Sequence, residues 1–283
     1  MNTKSLPLQL PNHSVLDYRR GILMIEFIRN RVGDFAGRRI LDIGAGKGGI
    51  AAAFVDAGAS VVCVDRDVTN CIRARKLLEQ LGLNNSSEIV HSLAQNLPFE
   101  ENCFNIVIMN GLLEWVGTNS KNPEAEQRKA IAEAARVLRE DGALYLAIEN
   151  RLFPAFLILD PHTHQLFVNL FPRRVARFLT RKARGGPFST YIYSIWGLQK
   201  MLKDSFADRQ VFYPLPHYHF PCQYGCANAK ESLLDAIKVA DRTPNMPLKL
   251  KLTLFYAKIV TTLHLNRFIL PYLVVLARKE GPG

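Results

Sequence analysis

The residues with the clearest chemical meaning are an acid and three glycines, Asp42, Gly44, Gly46 and Gly48, in the stretch Arg-Ile-Leu-Asp-Ile-Gly-Ala-Gly-Lys-Gly-Gly from 39 to 49. Glycine lets another molecule approach the main chain closely, and a helix that starts after such a turn offers unpaired N–H groups. The turn reads as a ligand cradle. Gly44, Gly46 and Gly49 fit the dinucleotide pattern G-x-G-x-x-G, a weak signal alone. Asp42, two residues before the first glycine, suits a cation better than a pyrophosphate. Asp65 stands 21 residues after Gly44, at the end of an apolar run, where a carboxylate offers two acceptors to vicinal hydroxyls.

Two further constellations could do chemistry. Asp160-Pro-His-Thr-His164 brings two imidazoles, His162 and His164, which titrate near neutrality and are the candidate general bases. His217, His219, Cys222 and Cys226 are the residue types of a tetrahedral zinc site. The usual finger spacing is absent, so no metal is assigned there and zinc stays an open alternative.

These residues need strands and helices to position them. Apolar runs at 40–43, 59–64, 88–92, 106–109 and 143–148 read as strands, separated by helical patterns at 49–57, 68–81 and 125–139. Such alternation predicts parallel pairing in an open, doubly wound α/β sheet. A helix over 15–31 should pack beside the glycine turn, with Tyr18 and Arg19 able to line the site. Asp67 is placed to cap the helix that follows Asp65.

With Asp42-x-Gly-x-Gly-x-Gly48, Asp65, Leu97-Pro-Phe99 and the segment Asn110-Gly-Leu-Leu-Glu-Trp115 in view, the sequence resembles the class I S-adenosylmethionine-dependent methyltransferases, in their type 11-like small-molecule branch. The resemblance is clear from about Arg39 to Asn150. It implies a Rossmann-like seven-stranded sheet, mostly parallel with the last strand antiparallel, and a basic insertion after strand five. It implies S-adenosylmethionine as cofactor, held by Asp42, Gly44, Ala45, Gly46, Asp65, Arg66, Leu93, Ala94 and Asn110. Three positions depart from the family pattern. Leu93 stands where an acid usually accepts from adenine, Asn105 replaces an aspartate, and Trp115 replaces a histidine. Trp115 could instead wall the methyl-transfer pocket.

Charge divides the chain. Residues 1–150 hold 17 Lys+Arg and 18 Asp+Glu; residues 151–283 hold 19 and 7, so the excess of +12 lies in the second part. Six of the twelve residues from 173 to 184 are basic, and a helix there would align Arg173, Arg177, Arg181 and Arg184 on one face while Phe178 and Leu179 dock it. Guanidinium clusters bind phosphate and carboxylate by paired hydrogen bonds. We therefore expect residues 1–150 to bind the cofactor, and 151–283 to supply a substrate-covering insertion plus the closing helix and strands of the same sheet. Trp115, Arg173, Arg177 and Arg181 are the expected substrate contacts.

The expected acceptor is a small molecule, a glycan or a lipid-linked compound, with anionic character. Five cysteines, an odd number lying mostly within regular elements, and no leader-like apolar run near Met1 predict a cytoplasmic protein, with peripheral membrane contact through the basic part. The 22% charged and 48% hydrophobic composition excludes a disordered chain. A nicotinamide-dependent oxidoreductase would share the glycine turn but not explain Asp42. A nucleic-acid methyltransferase would use the basic part but lacks an Asn-Pro-Pro-Tyr type motif after strand four, and a non-catalytic protein retaining the fold is the remaining alternative.

Overall fold

The computed structural model describes residues 12–118, 120–184, 190–218, 220–266 and 270–279. The parallel strands are β1 (Arg39–Ile43), β2 (Ser60–Asp65), β3 (Ser87–His91), β4 (Phe104–Asn110) and β5 (Leu138–Glu149). Helices α1 (Asn12–Val32), α2 (Gly49–Asp56), α3 (Val68–Gln80) and α4 (Pro123–Val137) accompany them. The second part adds α5 (Pro154–Ile158), α6 (Arg173–Arg184), α7 (Ile195–Leu202), β6 (Asp208–His217), β7 (Phe220–Cys226), α8 (Lys230–Asp241), α9 (Leu248–Thr262) and β8 (Tyr272–Arg278). All eight strands form one sheet in the order β3-β2-β1-β4-β5-β8-β6-β7.

Apolar residues of β1, β2 and β4 are buried on both faces because helices cover both, as a parallel sheet requires. One layer sets Met24, Phe27 and Ile28 of α1 and Phe54 of α2 against the sheet; the other sets α4, α7, α8 and α9 against it. Gly21 lets α1 lie close on α2, since a Cβ there would come within 2.6 Å of the Ala53 methyl. Asp67 caps α3, its carboxylate accepting from the Thr69 amide at 2.8 Å. Asn105 Oδ1 accepts from the Arg39 amide at 2.9 Å, so this departure from the family pattern ties β4 to the start of β1.

The sheet has eight strands where seven were expected. β8 runs antiparallel to both β5 and β6, and the additional strand β7 closes an antiparallel hairpin with β6. Pro221 and Gly225 mask β7 in the sequence, because both disfavour a central strand; as an edge strand it pairs on one side only. The hairpin also answers the zinc alternative. His217 pairs with Phe220 at one end and Cys226 with Phe212 at the other, five rungs or roughly 17 Å apart, so the two cannot share an ion. His219 and the Cys222 side chain lie outside the described residues.

Helix α6 forms where the basic run predicts it, but it docks differently. Among its described side chains Ala176 and Thr180 are the buried ones, and the Thr180 hydroxyl donates to Gln165 Oε1 at 2.8 Å. Val175, Phe178 and Leu179 face solvent.

Candidate functional site

The glycine turn after β1 is strapped to the end of β2. Gly44 and Ala45 amides donate to the Val64 carbonyl at 2.7 and 3.1 Å, and the Gly46 amide donates to Asp65 Oδ2 at 2.9 Å. Gly44, Gly46 and Gly48 have φ of 74°, 56° and 79°, the left-handed region open to glycine at little cost. A Cβ on Gly44 would strike Leu112 at 2.7 Å, whereas one on Gly46 would enter open space. That space is a cavity of about 250 Å³ lined by Gly44, Gly46, Asp65, Arg66, Asn70, Leu93, Ala94, Gln95, Gly111, Trp115 and neighbours.

The strand ends therefore bring together most of the residues expected around a cofactor. Asp65 Oδ1 accepts from its own helix entry, the Asp67 amide, at 2.8 Å and keeps a lone pair for a ligand, while Oδ2 accepts from the Gly46 amide and from Asn70 Nδ2 at 3.4 Å. Leu93 is 52% exposed and offers an apolar wall in place of an acceptor. Asp42 is buried beneath the turn with Oδ2 lacking a hydrogen-bond partner. Burial, then the neighbouring Asp17 and Asp65 carboxylates, push its pKa up to about 7. A cationic ligand group beside it would favour the ionised carboxylate and supply the partner that Oδ2 lacks. Ala45 and Asn110 do not line the cavity; Asn110 ends β4 with its Oδ1 buried and unpartnered.

The α1 residues that face this region are not Tyr18 and Arg19. Tyr18 turns away to donate to Asp56 at 2.8 Å, and Arg19 is exposed. Asp17 and Arg20 pair at 3.2 Å, and Arg20 lies over the Tyr218 ring at 5.6 Å.

Beside the cavity lies a cluster of which the sequence singled out His162, as a candidate base, but not its two glutamate neighbours. Glu114, in the turn after β4, and Glu149, the last residue of β5, are 1% and 5% exposed and meet His162 of the insertion. His162 Nε2 stands 3.4 Å from Glu149 Oε2, and one ligand-capable atom from each of the three lies within 4.8 Å of the others. Burial and then Glu149 push the Glu114 pKa well above the usual carboxylate range. Gly111 separates cluster from cavity: it lines the cavity, and a Cβ on it would stand 3.4 Å from the Tyr218 hydroxyl and 3.6 Å from Glu114 Oε1. Trp115 joins the two, walling the cavity and setting its ring edge against His162 at a 4.8 Å centroid distance.

His162 is held by a buried network. Asp160 Oδ1 accepts from the His162 and Thr163 amides and the Thr163 hydroxyl, while Asp160 Oδ2 accepts from Asn169 at 2.9 Å. Arg151 clamps the Asn169 carbonyl at 2.9 Å. His164 stays outside the cluster, exposed with φ of 53°. Glu114 lay within the family-like segment 110–115, and both glutamates lie at or just after the carboxyl ends of adjacent parallel strands, where open α/β sheets hold their ligands.

The arginines fall elsewhere. Arg173 is not aimed at a ligand: it donates to the Tyr193 hydroxyl and the Ile192 carbonyl, stacks on Tyr191 and Tyr193, and lies 3.6 Å from Glu124. Arg177 does not line the cavity, and the Arg181 side chain lies outside the described residues. A larger cavity, about 470 Å³, lies at the opposite end of the central strands among Glu101, Arg136, Glu140 and Lys279, away from the glycine turn.

Comparison with known proteins agrees with this geometry. Residues 41–146 match the model of a methyltransferase domain. The ubiquinone biosynthesis O-methyltransferase of Bartonella tribocorum is 30% identical over 193 residues, 64% of this chain and 74% of that protein. The malonyl-[acyl-carrier protein] O-methyltransferase of Geobacter sulfurreducens is 31% identical over 112 residues, 39% of this chain and only 38% of that protein. In fold, a Haemonchus contortus N-methyltransferase solved with phosphomonomethylethanolamine and S-adenosylhomocysteine superposes with a TM-score of 0.53 at 15% identity, over 92% of this chain and 52% of that one. The chain belongs to the class I S-adenosylmethionine-dependent methyltransferases, and S-adenosylmethionine is its cofactor.

Proposed function

We propose that the protein methylates a hydroxyl oxygen of a small-molecule, glycan or lipid-linked acceptor, bound between Trp115 and the Glu114, Glu149 and His162 cluster. The observation that carries this reading is the placement of that cluster directly behind Gly111 and Trp115 of the cofactor cavity. S-adenosylmethionine supplies an electrophilic methyl and leaves as a neutral thioether. The acceptor oxygen forms the new C–O bond as the C–S bond breaks, and its proton must leave. The Glu114, Glu149 and His162 cluster receives the hydroxyl and takes its proton, which passes on to solvent, and His162 contributes an imidazole held by Asp160. The remaining work is alignment and exclusion of water, for which Trp115 and Tyr218 form a wall. In this division of labour residues 1–150 hold the cofactor and the insertion covers the acceptor.

Of these acceptors the exposed surface favours the lipid-linked one, met at an anionic membrane. Among the described residues, 15 of the 22 exposed large hydrophobics lie at 158–179 and 248–265. Leu248, Leu252, Phe255, Ile259 and Leu263 follow one face of α9, with Lys249, Lys251 and Lys258 beside them. Val175, Phe178 and Leu179 do the same on α6, among arginines. Exposed apolar side chains flanked by lysine and arginine favour binding in the plane of an interface containing acidic lipids. None of the described helices is long and apolar enough to cross a membrane.

The test is calorimetric titration with S-adenosylmethionine, followed by measurement of S-adenosylhomocysteine release with free sugars, anionic sugars and polyprenyl-linked sugars, with and without acidic vesicles. We expect release to depend on an acceptor hydroxyl and to rise on vesicles. Binding of a nicotinamide cofactor instead, or release only with nucleic acid, would overturn the reading.

A further inference from the structure

We propose that Glu114, Glu149 and His162 form a binding site for one divalent transition-metal cation. This rests on the reading that the acceptor hydroxyl meets this cluster, and it names what the hydroxyl would meet there. Three observations carry it. The first is the donor set: two carboxylates and one imidazole, from the end of β4, the end of β5 and the insertion, with their donor atoms within 4.8 Å of one another. Oxygen and imidazole-nitrogen donors together suit Mn²⁺, Fe²⁺ or Zn²⁺.

The second is that the donor atoms are buried and unused. Glu114 Oε2, Glu149 Oε2 and His162 Nε2 each lack a hydrogen-bond partner, and the His162 and Glu149 side chains are 10% and 6% exposed. Buried polar atoms are ordinarily paired; His162 Nε2 and Glu149 Oε2 meet as a 3.4 Å ion pair without hydrogen-bond geometry, and an ion between them and Glu114 would supply the partner all three lack. The third is the spacing and charge. At 3.4 Å, His162 Nε2 and Glu149 Oε2 are too far apart for a strong hydrogen bond. Two donors each about 2.1 Å from one ion stand roughly 3.0 to 3.4 Å apart at octahedral or tetrahedral angles. A carboxylate torsion, the softest rotation present, can bring Glu114 onto the same point. Among the described residues no lysine or arginine forms an ion pair with either carboxylate, so a +2 ion would supply the positive charge that two buried carboxylates lack.

Three protein ligands leave positions open, as in catalytic rather than structural metal sites. An acceptor hydroxyl taken as a further ligand would lose its proton more readily, the proton passing to bulk buffer as the oxygen becomes the better nucleophile.

The experiment uses the full chain, stripped with chelator and saturated with S-adenosylhomocysteine. Mn²⁺ is added and the free ion read by electron paramagnetic resonance; Zn²⁺ alone is titrated calorimetrically. We expect one ion per chain, with affinity reduced roughly tenfold or more in Glu149→Gln and His162→Ala, the cost of a lost charge-assisted ligand. Unchanged S-adenosylhomocysteine affinity in both variants establishes that they are folded. Neither ion binding to wild type, or equal affinity in the variants, would overturn the proposal. Absence of metal with turnover abolished in Glu149→Gln would place the cluster in proton transfer without a cation, which overturns the metal site and leaves the methylation of a hydroxyl standing. Metal binding without turnover on any hydroxylated acceptor would support the site while removing the acceptor reading.

Discussion

The Asp65 carboxylate accepts the Gly46 amide at 2.9 Å, so the acid at the end of β2 holds the second glycine of the turn that follows β1. One side chain thus shapes the cradle and lines it. Asp65→Ala removes both the turn's anchor and the acceptor proposed for the ribose hydroxyls. We expect S-adenosylmethionine affinity to fall by on the order of 2 to 3 kcal/mol, thirtyfold or more, in calorimetry. An unaltered dissociation constant in folded protein would remove Asp65 from the site.

Gly46 tests the cradle from the other side. Its Cβ would enter empty space, but its φ is 56°, where a β-branched residue is strained. Gly46→Val should abolish cofactor binding while lowering thermal stability far less than a core substitution does. Full affinity in that variant would place the ligand elsewhere.

Asp42 predicts a proton linkage. With its folded pKa raised to about 7, the native state keeps a proton between about pH 4 and 7 that the unfolded chain has lost. Its contribution therefore becomes unfavourable as pH rises through that window, by on the order of 4 kcal/mol at full ionisation. Asp42→Asn should flatten the pH dependence of stability between those limits. A cationic ligand group near Asp42 lowers its pKa, so cofactor binding at pH 6.5 should release a proton, seen as a buffer-dependent binding enthalpy in wild type and lost in Asp42→Asn.

Arg173 should behave as a framework residue. Its guanidinium joins Tyr193, the Ile192 carbonyl and Glu124, so Arg173→Met should lower the melting temperature by several degrees, the consequence of about 1 to 3 kcal/mol. If stability is retained and only the acceptor's Michaelis constant rises, Arg173 is a substrate ligand after all.

The α9 stripe makes the membrane reading quantitative. Leu252→Glu with Phe255→Glu replaces two side chains that are 58% and 63% exposed, so folding should be little affected. Sedimentation with vesicles containing acidic lipid should drop by an order of magnitude or more, and binding of the wild type should weaken as salt rises. Equal sedimentation of variant and wild type would mean that this face does not meet lipid.

The local chemistry of the first part was legible in the sequence because it is short-range. A glycine turn after an apolar strand, an acid at the next strand's end and Asp67 one residue before a helix carry their meaning within a few positions, and the resemblance to the methyltransferases rests on the same segments. Trp115 was legible as a pocket wall for that reason. The tertiary structure decided what depends on distant partners. Glu114, Glu149 and His162 are separated by 35 and 13 residues and meet only because β4 and β5 pair in parallel while Asp160 folds the insertion back over their ends. The face that α6 buries could not be read from periodicity, since Ala176 and Thr180 fit a narrow seat that Phe178 and Leu179 do not. The strand β7 was hidden by its proline and glycine, which an edge tolerates and a sequence pattern penalises. Spacing along the chain reveals what the backbone does locally, while the convergence of buried charges is set by which strand ends the sheet places side by side.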